Sequence, residues 1–234
     1  MYDTFHPFNF PYATTNFKEW APRKLKEVFR IEPEVIKDDI IYKDIYLNGG
    51  NVLILGGGPS SQAKLDLSRY TDIWSMNKCF NLNIKFDLIG VGAGVDIENK
   101  KFKDYCELFK PQLAFEIHPN WINKQVPATG YFHTKMYGKI GVGVRLVNLA
   151  AAVGATHIDF IGFDGPSAIL NGAHYFEPGK TDLPSFCTKD NADAVHLTQY
   201  NFFWNYIRDL YPKVNFNSLD KKNKYHKCLD QNVK

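Results

Sequence analysis

NVLILGGGPSS, residues 51–61, decides the fold: a short apolar run that empties into three glycines. Four aliphatic residues in a row show none of the polar alternation of a half-exposed strand. A run of this kind, stopped by glycine, is a strand buried on both faces, as in a parallel sheet. The turn Asn48-Gly49-Gly50 isolates it from what precedes. Downstream, DIWSMN (72–77), FDLIGVG (86–92), QLAFEI (112–117) and HIDFIGFD (157–164) repeat the form, and KVNFNS (213–218) closes the series.

Helical patterns separate these runs. ENKKFKDYCELFK (98–110) puts Phe102, Tyr105, Cys106 and Phe109 on one face. GVGVRLVNLAAAVG (141–154) is a strong, mostly apolar helix with a glycine stop, and its small residues suit a helix lying tightly on a sheet. HLTQYNFFWNYIRDLYP (196–212) is a long amphipathic helix opened by His196 and ended by Pro212. Strands alternating with helices imply an α/β fold: one Rossmann-like domain with a mostly parallel sheet flanked by helices, over residues 51–220. Ligands of such sheets bind at the carboxyl ends of the strands.

Residues 1–50 are expected to be an appended arm, aromatic at first, with a short amphipathic helix from Pro22. The arm could pack on the body or on a second copy, which makes a homo-oligomer through residues 1–50 one expectation. The lysine-rich stretch 221–234 reads as a solvated basic tail.

Composition narrows the classes. With 234 residues, 44% of them hydrophobic, the chain can bury a core without metal or disulfide support. A net charge of +3 gives no footing to nucleic acid as the main partner. No apolar run approaches the ~20 residues of a membrane span, and the N-terminus lacks the pattern of a secretory signal. Cys79, Cys106, Cys187 and Cys228 have no metal-type spacing, so free thiols in a reducing, cytoplasmic compartment are expected, and zinc is not. The strong excess of lysine over arginine fits an AT-rich bacterial or phage gene.

Five features could carry chemistry. The turn Gly56-Gly57-Gly58-Pro59-Ser60-Ser61 lets a ligand approach the backbone and offers N–H groups and hydroxyls to phosphate, or it is a tight turn with no ligand. It is neither a dinucleotide fingerprint, whose sixth position is Ser61 here, nor a P-loop. Asn77, ending the second strand, has an amide that can read a ribose or a base edge, or is a turn residue. Lys139, Gly141 and Gly143 at the start of the apolar helix form an anion site, or the glycines only allow close packing. Asp164 serves sugar hydroxyls, a metal or a turn. It opens an irregular stretch, 166–195, which carries His174, Tyr175 and Glu177 and reads as a lid. His196, where that stretch rejoins the fold, suits proton transfer.

Taken in order, GGGPSS, Asn77, KIGVGVRLVNLAAAVGATHIDFIGFDG, AHYFE and HLTQY resemble the bacterial sialyltransferases that act on surface glycans. They also resemble the wider relatives of those enzymes: flagellin-modifying glycosyltransferase domains and 6-hydroxymethylpterin diphosphokinase-like proteins. The resemblance spans roughly residues 51–218. It implies that Gly56, Gly58, Ser60 and Asn77 hold a cytidine nucleotide, and that Lys139 to Gly143 meet donor sugar and phosphate. It further implies that His196 is the general base and that Tyr175 stabilises the leaving phosphate without metal.

The chain departs from that pattern at Gly57, which replaces a turn asparagine, and at Lys139, which replaces an arginine. Val142 stands for the serine that meets the sialic-acid carboxylate, and Gly165-Pro166 for a second lid tyrosine. A UDP-sugar is therefore as open as a CMP-sugar. The expectation is a glycosyltransferase needing no cofactor, with a nucleotide sugar as donor and a glycan, protein, small molecule or modified DNA base as acceptor. Two alternatives stand beside it. One is a magnesium-dependent diphosphokinase with Asp96 and Asp164 as ligands; the other is a nucleotide-binding protein without catalysis.

Overall fold

The computed structural model describes residues 35–37, 40–92, 95–117, 126–134, 141–165 and 190–230. Nine strands form one sheet: β1 (Val35–Lys37), β2 (Ile40–Lys43), β3 (Asn51–Leu55), β4 (Asp72–Met76), β5 (Leu88–Val91), β6 (Gln112–Glu116), β7 (Gly130–Thr134), β8 (His157–Ile161) and β9 (Asn215–Ser218). Their order across the sheet is β1-β2-β7-β6-β5-β4-β3-β8-β9. From β7 to β9 every neighbouring pair is parallel, whereas β1, β2 and β7 pair antiparallel. The helices are α1 (Lys100–Phe109), α2 (Val142–Ala152), α3 (Ala192–Leu210) and a short α4 (Lys227–Asp230).

The apolar runs fill both faces of the central strands. Val52, Ile54, Trp74, Leu88, Ala114, Ile158 and Phe160 point toward α2 and α3. Their alternates Leu53, Leu55, Ile89, Val91, Leu113 and Phe115 meet Phe102 and Tyr105 of α1. Each such side chain, fully buried, contributes about 1.5–3 kcal/mol, so losing the alternation anywhere in β3 to β6 would empty one face. All eleven residues of α2 are buried. The helix lies close because Gly90 leaves room for Leu146, whose carbons a Cβ there would meet at 2.8 Å.

The fold class expected from the sequence is the one observed, and β3, β4, β5, β6, β8 and β9 sit where the sequence put them. Three features differ. Residues 35–37 and 40–43 belong to the sheet instead of lying outside it in an arm. These strands, like β7, are short and lack the apolar run that marks the parallel ones. Residues 221–230 are not a solvated tail: Tyr225 and His226 are buried, and 224–230 fold as a 3-10 turn and α4 against α3. Lysines on either side of Tyr225-His226 masked that anchor in the sequence. Finally, α3 begins at Ala192, so His196 stands one turn inside the helix and not at its start. The rest of the expected lid, with His174, Tyr175, Glu177 and Cys187, lies outside the described residues, as do Lys139 and the Pro22 helix.

The order of strands locates the site. From β3 the chain steps through β4, β5, β6 and β7 on one side, and α2 then carries it back to β8 on the other side of β3. Strand order reverses between β3 and β8, the place where open α/β sheets bind ligands at their carboxyl ends. Those ends are Gly56–Ser61 and Gly162–Gly165.

Candidate functional site

The glycine turn is stitched to the end of β8. Gly56 N–H donates to Ile161 O (2.8 Å) and Gly58 N–H to Gly162 O (3.0 Å). Ser60 Oγ donates to Asp164 Oδ2 (2.9 Å) and accepts from Gly162 N–H (3.0 Å), while Ser60 N–H points at both Asp164 oxygens (3.3 Å). Ser61 donates its hydroxyl (2.6 Å) and its N–H (3.0 Å) to Gly58 O. The glycines answer to steric need: a Cβ on Gly56 would overlap Gly162 O, and one on Gly58 would overlap the Asp164 carboxylate. Four N–H groups of the turn are thus committed within the protein. A phosphate held by them would have to displace those bonds.

Asp164 is half-buried, and burial pushes its carboxyl above the ordinary aspartate range. The nearby Asp220 adds to the rise, and the Ser60 bonds work against it.

Asn77 is also partly committed. It takes a left-handed conformation (φ +47°), which asparagine tolerates better than most residues. Its Oδ1 accepts from Gly92 N–H (2.8 Å), tying the end of β4 to the end of β5. The amide NH₂ is the part of Asn77 that this bond does not use. Gly92 matters here as well, since a Cβ would meet Val142 Cγ2 at 2.6 Å and Asn77 Oδ1 at 3.2 Å.

The amino terminus of α2 opens on the same edge. Gly141 is the N-cap at φ +98°, gives no side-chain cap and is exposed, with nothing among the described residues within 4 Å of where a Cβ would sit. The first N–H groups of a helix lack partners inside it and carry the positive end of its dipole. Gly143 plays the packing role, because a Cβ there would meet Met76 Sδ and the Phe163 ring at 2.7 Å.

His196 is buried, at 4% exposure. Its Nδ1 lies 2.9 Å from Ala192 O. A carbonyl only accepts, so Nδ1 carries the hydrogen and Nε2 is the acceptor nitrogen of the neutral ring. Burial holds the ring below the ordinary histidine pKa, opposed by the Ala192 bond and by the charge of Asp193. One turn on, Tyr200 lies 6.5 Å away between ring centroids and is close enough to Asp164 to feel its charge.

The structure therefore brings Gly56–Ser61, Asn77, Gly141, Gly143, Asp164 and His196 to the carboxyl edge around β3, β4 and β8. Asp96 is a turn residue whose Oδ1 accepts from Glu98 N–H (3.1 Å). Among the described residues no group of three His, Cys, Asp or Glu side chains could hold a metal ion. The described thiols Cys79, Cys106 and Cys228 form no disulfide, and burial pushes Cys106 up to about 11, away from reactivity. No helix among the described residues is long and apolar enough to cross a membrane.

Sequence reading missed two groups at this edge. Arg145 of α2 forms a two-pronged ion pair with Glu116 of β6, through Nε to Oε1 and Nη2 to Oε2 (2.8 Å), with both side chains nearly fully buried. The signal was present: each is a charge set in an otherwise apolar run, and a buried charge needs a partner. The second group is Asn223, Lys224 and Tyr225, which the lysine-rich composition hid.

No family model and no curated protein matches the chain. Among solved structures it is similar to the monofunctional alpha-2,3-sialyltransferase Cst-I from Campylobacter jejuni, with a TM-score of 0.49 and 16% identity, over 85% of this chain and 82% of that one.

Proposed function

We propose that the chain is a glycosyltransferase that moves a sugar from a CMP- or UDP-linked donor to an acceptor hydroxyl by direct displacement. One observation carries the reading: an uncapped helix terminus and a neutral histidine share one edge. Phe163 packs beside Gly143 in the first turn of α2, and Asp164, the next residue, acts on Tyr200, one turn from His196. The first turn of α2 suits the donor phosphate, and Asn77 NH₂ suits the nucleoside. The glycine turn forms the floor under them.

In the reaction, His196 Nε2 takes the proton of the acceptor hydroxyl as its oxygen bonds to the anomeric carbon. The bond from that carbon to the phosphate oxygen breaks, and its electron pair leaves with the nucleotide. The helix terminus stabilises that charge. The resemblance adds Lys139 and Tyr175 to the same task. No cofactor is required. The diphosphokinase alternative needs Asp164 as a metal ligand, whereas both its oxygens are turned to Ser60.

A thermal-shift panel of CMP, UDP, GDP, ATP and their sugars, run in EDTA and again with magnesium in place of EDTA, tests this. A rise in Tm with CMP or UDP and its sugar supports the proposal, since a bound ligand stabilises by mass action. A rise with ATP alone, appearing only with magnesium, favours the diphosphokinase. No rise with any nucleotide overturns the proposal.

A further inference from the structure

The segment read from sequence as a tail reaches the base. Tyr225 donates its hydroxyl to Asp193 Oδ1, and the Lys224 ammonium pairs with Asp193 Oδ2. Asp193 lies in the first turn of α3, three residues before His196, and its charge favours the protonated ring. The same segment grips the end of β8: Asn223 Nδ2 donates to Phe163 O (3.2 Å), and the Tyr225 ring fills the space a side chain at Gly165 would need. Asn223 Oδ1 accepts from Tyr225 N–H (3.0 Å), and the Tyr225 ring packs on Tyr200 with centroids 5.6 Å apart. Residues 223–225 thus bridge two parts of the site, the Asp164 end of β8 and the His196 turn of α3.

We infer that Tyr225 is a positioning residue of the active site, holding the Asp193 carboxylate in place on the turn of α3 that carries His196. The inference rests on the reading of His196 as the base. A purely structural anchor needs only the ring of Tyr225; the hydroxyl on Asp193 is the part that a positioning role explains. Among the described residues, Asp193 on the same helix is a charge that acts on the imidazole and Tyr200 lies 6.5 Å away between ring centroids; Lys224 and Tyr225 face Asp193, and Asp164 acts on Tyr200. Lys224 and Tyr225 hold the Asp193 carboxyl below the usual aspartate range. The ionised carboxylate in turn opposes the fall that burial imposes on His196.

The test is a proton NMR titration of His196 in the full chain, its signal assigned by its loss in His196→Gln, for wild type, Asp193→Asn and Tyr225→Phe. Asp193→Asn removes an anion beside the ring, so the His196 midpoint should fall by ~0.5 unit or more. Tyr225→Phe keeps the ring and frees the carboxylate, so the midpoint should fall in the same direction by less, with Tm nearly unchanged. A midpoint that stays at the wild-type value in Tyr225→Phe overturns the inference, whatever Asp193→Asn does. The pH–rate profile with a working nucleotide sugar separates the two claims. If its acid limb moves with the midpoint, both stand. If the midpoint moves and turnover does not, the positioning stands and His196 is not the base.

Discussion

Gly58 and the Asp164 carboxylate compete for one volume at the carboxyl end of β3, so a side chain at position 58 would evict the aspartate. Gly58→Ala should destabilise the unliganded protein by about 1–3 kcal/mol, the usual range for overpacking. In an Asp164→Gly background the same change should cost clearly less, because the pair shares one space. Denaturant unfolding of the four proteins in this cycle gives the coupling directly. His226 makes a second prediction at this scale. Buried against Phe160, Tyr200 and Trp204, with Nδ1 bonded to Ser218, it has its pKa pushed down to about 3 from 6.5. The unfolded chain binds a proton that the folded chain refuses. Its stabilising contribution is therefore complete above pH 6.5 and is lost as pH falls from there toward about 3. The slope is about 1.4 kcal/mol per pH unit for one proton. His226→Phe should flatten that acid decline in a series of melts between pH 7 and pH 4.

At the scale of elements, the Arg145–Glu116 pair fixes α2 to β6 just below the uncapped first turn. Removing one partner leaves a buried charge alone, which costs about 3–5 kcal/mol, whereas removing both charges costs far less. Arg145→Met should therefore unfold at markedly lower denaturant, and Arg145→Met with Glu116→Gln should recover most of the loss. Additive effects would mean that the two side chains do not pair. The elements themselves were legible where the physics is local. β3, β4, β5, β6 and β8 are mostly apolar runs closed by glycine or a polar residue, and α2 is a mostly apolar run too long for a strand. β1, β2 and β7 were not legible, because their place depends on pairing across the sheet with partners far along the chain. The start of α3 was also set too late, since Ala192-Asp193-Ala194 carries no apolar period of its own.

Over the whole molecule, the sequence placed the candidate site at the carboxyl edge of the sheet, because that edge follows from strand order and glycine-rich strand ends. It did not assign work within the site. Ser60 and Asp164 look like ligands in the sequence and in the fold bond to each other. Gly143 looks like an anion site and serves packing, while Gly141 keeps the open position. The bridge made by Asn223, Lys224 and Tyr225 could not be read at all, since it joins three distant segments. The central claim is that this edge transfers a glycosyl group with His196 as base. Its most direct measurement is nucleotide release from CMP- and UDP-sugars with a panel of acceptor glycans in EDTA, by wild-type protein and His196→Ala. The account predicts release from at least one donor by the wild type and a fall of about 10²–10⁴-fold in His196→Ala, with the donor-induced Tm shift unchanged. Release unaffected by the substitution, or no release from any donor, would contradict it.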